Sequence, residues 1–585
     1  MIDFTVAIPT YNGDSRLPDV LDRLRSQIDT ESFSWEVLVV DNNSTDNTAQ
    51  VVRDYQANWP ASIALRYCFA PQQGAAFARQ RAVEKANGEL IGFLDDDNLP
   101  ENNWVSSAYT FGKQNPNVGA YGSQIHGYFF EQEQDEALPD KFKEISCFLA
   151  IVERGKRPQL YNPENRILPP GAGLVIKKEA WLTNVPNRLF LNHKGKKAGM
   201  ASEDLEALIH IQQAGWEIWY NPEMVVYHKI PNGRLKPEYL RLLTRCIGLS
   251  RHRLRMMTLK SWQRPLAFPA YLANDLRRLV LHIIKHGLHV KKDTVAGCQR
   301  EFLSSTLLSP LFLWKKKNID ERAAINLEKS LPNSQNILNQ ISEGLEEDRF
   351  CLYSQEIYPI AQSSSSPKHN EILLRLENQA GEILQPSHFM PIAKHYNLMQ
   401  AIDRWVIRQL FRQIAQENSG DNRLYEINLS VNSIKDDRLI EFLQYQFKES
   451  GISPETICFS IPEHLAIPNL ERVTKFIYYL KNIGGHFALD NVGRQNSDPS
   501  YLTKLPVDYL KIDGQFVRTL STNEQTLYTI ESLNEFGQNL GIQTIAEAVE
   551  TPEILEKIKS VGVNYVQGYG IAPTHPFITS PQKLK

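Results

Sequence analysis

The chain reads as an α/β protein in two parts: an N-terminal doubly wound mixed sheet and a C-terminal closed (β/α)8 barrel, joined by basic amphipathic helices. Three observations carry that reading. Short apolar runs alternate with helical spacing from Phe4 to Leu94 and again from Phe350 to Gln567, which is the pattern of strands covered by helices. The length of 585 residues exceeds the roughly 250–300 residues at which a single core stops growing. Between the two parts, from Arg234 to Lys317, 18 Lys and Arg face four acids, an excess of 14 in a chain whose net charge is −3. The expected boundaries are 1–233, 234–332 and 333–585.

Composition narrows the classes further. A hydrophobic content of 42% supports real cores, and the six cysteines show no CxxC or paired spacing, so neither a zinc framework nor a disulfide scaffold is expected. The first residues enter a strand pattern directly, and no apolar run reaches the roughly 18–20 residues that span a bilayer. A reducing, cytoplasmic setting follows as an expectation.

In the first part, the strand Phe4 to Pro9 ends in the turn cluster Thr10-Tyr11-Asn12-Gly13, and Leu17, Val20, Leu21, Leu24 and Ile28 then mark a helix face. A second strand, Trp35 to Val40, ends in Asp41. Further units run through Ile63 to Phe69, Ala75 to Ala86 and Leu90 to Leu94, the last ending in Asp95-Asp96-Asp97. Ligands of such sheets bind beyond the carboxyl ends of the strands, where these acids fall. Three adjacent carboxylates repel one another unless a cation sits among them. Alternation along a strand would turn Asp95 and Asp97 to one side and Asp96 to the other. That spacing suits Mg²⁺ or Mn²⁺ carrying a nucleotide diphosphate; a solvated acidic turn before Pro100 is the plainer alternative. Ser202-Glu203-Asp204 opens a helix backed by Leu205, Leu208, Ile209 and Ile211, and acids in a first turn also answer the helix dipole.

The stretches VAIPTYN, EVLVVDNNSTDNT, ARQRAVEKANGELIGFLDDDNLP and ASEDLEALIHIQQAGWEIWYNPEMVVYH together resemble the ordered signature of family 2 glycosyltransferases with the GT-A fold. The resemblance implies that Pro9, Tyr11 and Asn12 line a nucleotide floor and that Asp41 hydrogen-bonds the base, typically uracil. An Asx turn closing the strand is the alternative for Asp41. Asp95 and Asp97 match the DxD motif, with Asp97 as the direct metal ligand and Asp95 facing ribose or metal. His228 stands where related enzymes often place a histidine near the metal. Arg79 and Arg81 are candidates to neutralise diphosphate; a solvated helix face is their alternative. Pro169 to Leu174 matches a small-residue stretch beside the donor sugar. Glu203 and Asp204 match the ED motif, in which the Asp is the general base of an inverting displacement.

In the middle segment, Leu276, Leu279, Val280, Ile283, Ile284 and Leu288 lie at helical spacing opposite Arg277, Arg278, His282, Lys285, His286 and His289. Leu307 to Trp314, followed by Lys315-Lys316-Lys317, adds a short apolar wedge with a basic anchor. Such a helix and wedge suit the surface of an anionic membrane, and helices packed on the catalytic part are the alternative. Nucleic acid is not expected as the partner, because stacking aromatics and a binding module are missing.

The last part reads as eight strands, the first two, Phe350 to Ile357 and Glu371 to Leu376, separated by the flexible Ser363 to Ser366 tract. LYSQEI, EILLRL, INLSVNS, LPVDYLKIDGQFV, AEAVET and YVQGY resemble the EAL domain of cyclic-di-GMP phosphodiesterases. The resemblance implies Glu371, Asn428, Asp490 and Glu547 as metal ligands, Lys511 near the attacking water, Arg375 on phosphate, and Gln567 in the site. Two positions depart from the family. Ser460 replaces a metal-binding Glu, Asn491 replaces an Asp, and the loop used at the family's dimer face reads Arg494 to Asp498 here. Weakening both ions of a two-metal hydrolase is severe, so efficient hydrolysis is not expected unless Glu463 or Asp498 substitutes.

The expected protein is an inverting, Mg²⁺- or Mn²⁺-dependent glycosyltransferase peripheral to the inner face of the cell membrane. It would move sugar from a nucleotide-sugar donor, such as a UDP-sugar, to a polysaccharide or lipid-linked acceptor. The degenerate EAL barrel would serve regulation or assembly, including homodimerisation. The competing expectation is a cyclic-di-GMP-binding regulator of exopolysaccharide production whose transferase activity is secondary.

Overall fold

The computed structural model describes residues 2–129, 140–165, 167–192, 200–287, 293–330, 333–361, 367–417, 423–494, 499–520 and 523–577. They form two compact units, Met1–Asn333 and Ser334–Lys585.

The first unit is built on a mixed sheet. Strands β1 (Phe4–Thr10), β2 (Trp35–Asp41), β3 (Ala64–Phe69) and β4 (Leu90–Phe93) are parallel, and β5 (Asn98–Pro100), β6 (Val118–Phe129), β7 (Gln159–Leu160), β8 (Leu174–Lys177) and β9 (Glu217–Ile230) complete it. The order is β3-β2-β1-β4-β8-β6-β9-β5, with β7 on β9; β8 runs antiparallel to β4 and β6, and β5 antiparallel to β9. Helices α1 (Leu17–Arg25), α2 (Thr48–Ala57), α3 (Ala75–Lys85), α4 (Trp104–Gln114), α5 (Lys178–Asn184) and α6 (Glu203–Gln213) cover it. The two-residue period of the central strands explains the two layers. Val6, Ile8, Val37 and Val39 pack with Leu17, Leu21 and Leu24 of α1. Ala7, Leu38 and Val40 point the other way, to Ala78, Ala82 and Val83 of α3.

The segment expected to be a linker belongs to this unit. It forms α7 (Pro237–Met257), α8 (Arg264–His286) and α9 (Thr294–Ser330). Leu240 and Cys298 share a cluster with Ile145, Leu149 and Ile230. Leu254, Met257 and Leu313 share another with Leu191, Met200 and Ile209. Gly248 lets α7 and α9 approach closely, since a Cβ there would lie 2.0 Å from Ser305 Oγ. His289 lies outside the described residues.

In the second unit, β10 (Phe350–Pro359), β11 (Lys368–Glu377), β13 (Arg423–Asn428), β14 (Ile457–Pro462), β15 (His486–Val492), β16 (Tyr509–Ile512), β17 (Gln543–Ala546) and β18 (Tyr565–Val566) close into a barrel, with the short β12 (Ile383–Leu384) beside β11. From β11 round to β18 the barrel pairs are parallel, whereas β10 is antiparallel to both of its neighbours, β11 and β18. The all-parallel pattern expected from strand–helix alternation therefore fails at the first strand, because only eight residues, 360–367, connect β10 to β11. An antiparallel neighbour can be joined by a short connection, whereas a parallel one needs a crossover of a dozen or more residues. The Ser363–Ser366 tract and Asp498 lie outside the described residues.

Candidate functional sites

The acidic triplet sits in the turn between β4 and β5, not on a strand, so strand alternation does not govern it. Asn98 closes this turn: its N–H donates to Asp95 O at 2.9 Å and its Oδ1 accepts from Asp95 N–H at 3.1 Å. The three carboxylates point three ways, each to an arginine. Asp95 Oδ1 lies 3.2 Å from Arg79 Nη2. Asp96 takes a bidentate pair from Arg16, both bonds 2.8 Å, plus Thr10 Oγ1 at 2.6 Å. Asp97 Oδ2 lies 2.7 Å from Arg234 Nη2. The mutual repulsion of the acids is thus relieved by three cations from distant elements.

Asp97 also faces His228, which β5–β9 pairing sets opposite Asn98. His228 Nδ1 bonds Leu149 O at 2.9 Å, so that nitrogen carries the proton and Nε2 presents its lone pair. Nε2 lies 3.6 Å from Asp97 Oδ1 and 3.1 Å from Arg234 Nη1. Burial opposes charge on Asp97, but the Arg234 guanidinium bonded to it outweighs that and holds the carboxyl well below the usual carboxylate range. A carboxylate oxygen and an imidazole lone pair therefore converge on one point. This pair fits a divalent ion and, being mixed oxygen and nitrogen, suits Mn²⁺ better than Mg²⁺. The Arg234 guanidinium is bonded to both donors, so an ion and Arg234 exclude each other there.

Arg79 is the strut between this turn and α6. Its Nη1 meets Glu203 Oε1 at 2.6 Å while Nη2 holds Asp95, and the side chain is buried. Two carboxylates thus compensate the charge of this buried guanidinium, the candidate for the diphosphate. Arg81, on the same helix, does not line the cavity described below. Asp204 stands beside Glu203 with Oδ2 accepting from Gly171 N at 2.6 Å and Oδ1 from Leu205 N at 2.8 Å. Burial, reinforced by Glu203, pushes its carboxyl up to about 6. Gly171 is required for this approach, since a Cβ would fall 2.6 Å from Arg79 Nη2. Asp204, Glu203, Asp95, Arg79, Pro170 and Gly171 line one end of a cavity of about 1080 Å³. Neither Asp41 nor Asp97 is in its wall.

The expected nucleotide floor is built as interlocked turns. Asp41 closes its strand as an Asx turn: Oδ1 accepts from Ser44 N at 2.8 Å and Oδ2 from Tyr67 OH at 2.8 Å. Its burial raises its pKa. Each oxygen has one partner here and a carboxylate oxygen can accept a second, so the Asx turn and a contact to a base are compatible. Asn12, with φ of 50°, accepts from Thr45 N at 2.7 Å. Pro9 lies in the β1–β2 ladder opposite Val40, and Tyr11 is exposed.

In the barrel, Lys511 gathers the acids. Its Nζ is 2.9 Å from Glu371, 2.9 Å from Glu426 and 3.1 Å from Glu547. Glu371 also accepts from Asn428 Nδ2 at 2.7 Å and from Gln567 Nε2 at 2.7 Å. Ser460 Oγ donates to Asn428 Oδ1 at 3.0 Å. Burial pushes the Asp490 carboxyl up to about 6. Lys511 thus stands at the centre of these residues, and Ser460 is bonded to Asn428. Glu463, the weighed substitute, accepts from Gly493 N at 3.1 Å and from Tyr501 OH. Arg375 is the residue expected on phosphate. It is buried, donates to Leu374 O at 2.8 Å and stacks over Tyr353, and it does not line the cavity of about 350 Å³ that Glu371, Glu547 and Gln567 share.

The sequence reading missed Arg16, Arg234 and a buried layer beneath Lys511. There Glu426 Oε2 lies 3.0 Å from His369 Nε2, with Cys458 close by. Burial opposes the Glu426 charge, yet Lys511 and His369 hold its carboxyl down at about 2. Inward-facing polar residues within apolar strands were the available signal.

Comparison with known proteins agrees with the division. Residues 5–174 match the family model "Glycosyl transferase family 2", and residues 338–574 match "EAL domain". The chain therefore carries a family 2 glycosyl transferase domain and an EAL domain. Curated relatives align with the EAL portion. Cyclic di-GMP phosphodiesterase PdeB of Shewanella oneidensis is 35% identical over 238 residues, 40% of this chain and 28% of that protein. Cyclic di-GMP phosphodiesterase PdeF of Escherichia coli is 27% identical over 270 residues, 46% of this chain and 36% of that protein. The chain thus spans about a third of the length of these relatives. Among solved structures, the FimX EAL domain from Pseudomonas aeruginosa bound to c-di-GMP is 25% identical, covering 42% of this chain and 98% of that one, with a TM-score of 0.39.

Proposed function

We propose that the first unit is an inverting glycosyltransferase that moves a sugar from a nucleotide-sugar donor to a polysaccharide or lipid-linked acceptor in exopolysaccharide production. The observation that carries this reading is Asp204, a carboxylate at about 6 in the wall of a large cavity that also contains Asp95. Ionised at neutral pH yet more basic than an ordinary carboxylate, it can take the proton of an acceptor hydroxyl. The freed oxygen attacks the anomeric carbon, and the bond to the nucleoside diphosphate breaks on the opposite face. Glu203 and Arg79 hold the helix bearing Asp204 against the acidic turn. Asp97 and His228 would hold Mn²⁺ or Mg²⁺ once Arg234 gives way, and the ion supplies positive charge for the departing diphosphate. The test is a screen of UDP- and GDP-sugars for donor hydrolysis and transfer, with Asp204→Asn as control. No turnover of any donor, or equal turnover by the control, would overturn the assignment.

A second reading concerns the barrel. The retention of Glu371 and Gln567 in the wall of a cavity, with Lys511 bonded to Glu371 behind it and Ser460, bonded to Asn428, in place of an acid, favours a cyclic-di-GMP-binding regulatory unit without efficient hydrolysis. Equilibrium dialysis with cyclic-di-GMP tests it: absence of binding at about tens of micromolar removes this role.

A further inference from the structure

Helix α8 is mounted inside out. The residues it buries are polar: Asp275, paired to Arg255 of α7 at 2.9 Å, and His282, whose Nε2 meets Ala296 O of α9 at 3.0 Å. Its apolar side faces solvent. Leu272, Leu276, Val280 and Ile284 repeat every four residues and are all exposed, Ile284 at 74%, and Leu266 continues the exposed surface at 71%. At about 1.5 Å per residue the stripe from Leu272 to Ile284 is ~18 Å long. A surface helix normally turns such a stripe to the core, so this face is built for something other than the interior of its own unit.

A second exposed patch lies level with one end of that stripe. His252 of α7 contacts Phe268 of α8 at 5.4 Å between ring centroids, and its N–H bonds Ser309 of α9. These contacts set Phe268 and Ser309 at one level, and the His282–Ala296 bond shows that α8 and α9 run in opposite directions. Trp262 and Leu266 therefore stand at the same end of the helical layer as Leu311 and Trp314. Trp262 is 67% exposed, Leu311 70% and Trp314 69%. The wedge expected over Leu307 to Trp314 is thus divided: Leu313 is buried in the unit, while Leu308, Leu311 and Trp314 face out.

Charge selects the partner. Arg264, Arg277, Arg278, Lys285 and Lys315 are exposed, within a segment carrying 18 basic residues against four acids. Indole rings sit favourably between hydrocarbon and water, and lysines and arginines beside them meet anionic headgroups.

We propose that α8 and the Leu308–Trp314 face of α9 form a membrane-docking surface that lies in the interface of an anionic bilayer, with the Leu272–Ile284 stripe in the acyl boundary and the flanking cations on the headgroups. The proposal stands apart from the transfer chemistry, because none of these residues belongs to the sites described above.

The experiment is sedimentation of the full chain with vesicles of phosphatidylcholine alone and of phosphatidylcholine with about 30% phosphatidylglycerol. The wild type should pellet with the anionic vesicles, release as salt rises, and pellet weakly with the neutral ones. The exposed-face variant Leu276→Asp/Val280→Asp/Ile284→Asp should lose binding by about ten-fold or more, with its far-UV circular dichroism unchanged. Trp262→Ala/Trp314→Ala should lower affinity in the same direction. A wild type that stays in the supernatant with anionic vesicles overturns the proposal. So does a triple variant that binds as well as wild type, or one whose sole change is loss of a dimer in sedimentation velocity, which would make the face a contact between copies.

Discussion

Asp204 and Arg234 bear most directly on the transfer chemistry, and each yields a sharp expectation. Replacing Asp204 by Asn keeps its shape but removes the base. Turnover should fall by about 10²–10⁴, with a much smaller change in donor KM. In the wild type the protonated acid cannot accept a proton, so turnover should fall as pH drops through about 6 and level off above it. A flat pH profile in the wild type would remove Asp204 from the chemistry. Arg234→Ala frees the point between Asp97 and His228. Mn²⁺ titrations followed by electron paramagnetic resonance should then show tighter binding in the absence of donor. Unchanged affinity would mean that the guanidinium does not compete for those donors.

Single strands and helices decide the fate of the barrel. Lys511, at the middle of β16, compensates three carboxylates brought to it by β11, β13 and the segment after β17. Lys511→Met should destabilise the second unit by about 3–5 kcal/mol, because it leaves buried charges without a counter-ion; denaturant unfolding measures this. On β14 and β15, Ser460 and Asn491 stand where the EAL resemblance implies acids. Ser460→Glu with Asn491→Asp should raise production of linear dinucleotide from cyclic-di-GMP in the presence of Mg²⁺ or Mn²⁺, read by chromatography. Asn491 has φ of 54°, a conformation that Asp tolerates almost as well as Asn.

Across the whole molecule, the break at Asn333/Ser334 separates two cores. Calorimetry of the full chain should therefore show two transitions, and the fragments 1–333 and 334–585 should each reproduce one. A cut at 233 should instead leave an insoluble first fragment, because Leu254, Met257 and Leu313 cover Met200 and Ile209. Among the described residues no helix is long and apolar enough to cross a membrane.

Much of this architecture was readable along the chain. Strand–helix alternation marked both units, the acidic turn after β4 and the helix opening at Glu203, because repeats of two and of 3.6 residues are imposed by local backbone geometry. Partnership was not readable. Arg16 reaches Asp96 across 80 positions, and Lys511 reaches Glu371 across 140. Such pairs form only when separate elements stack, and no local pattern records which cation meets which acid. The same reason hid the inversion of α8: its amphipathic spacing was plain, but which side faces the protein depends on where Arg255 and Ala296 lie. It also hid the two carboxylates that meet Arg79, since a buried guanidinium takes the acids that folding sets beside it.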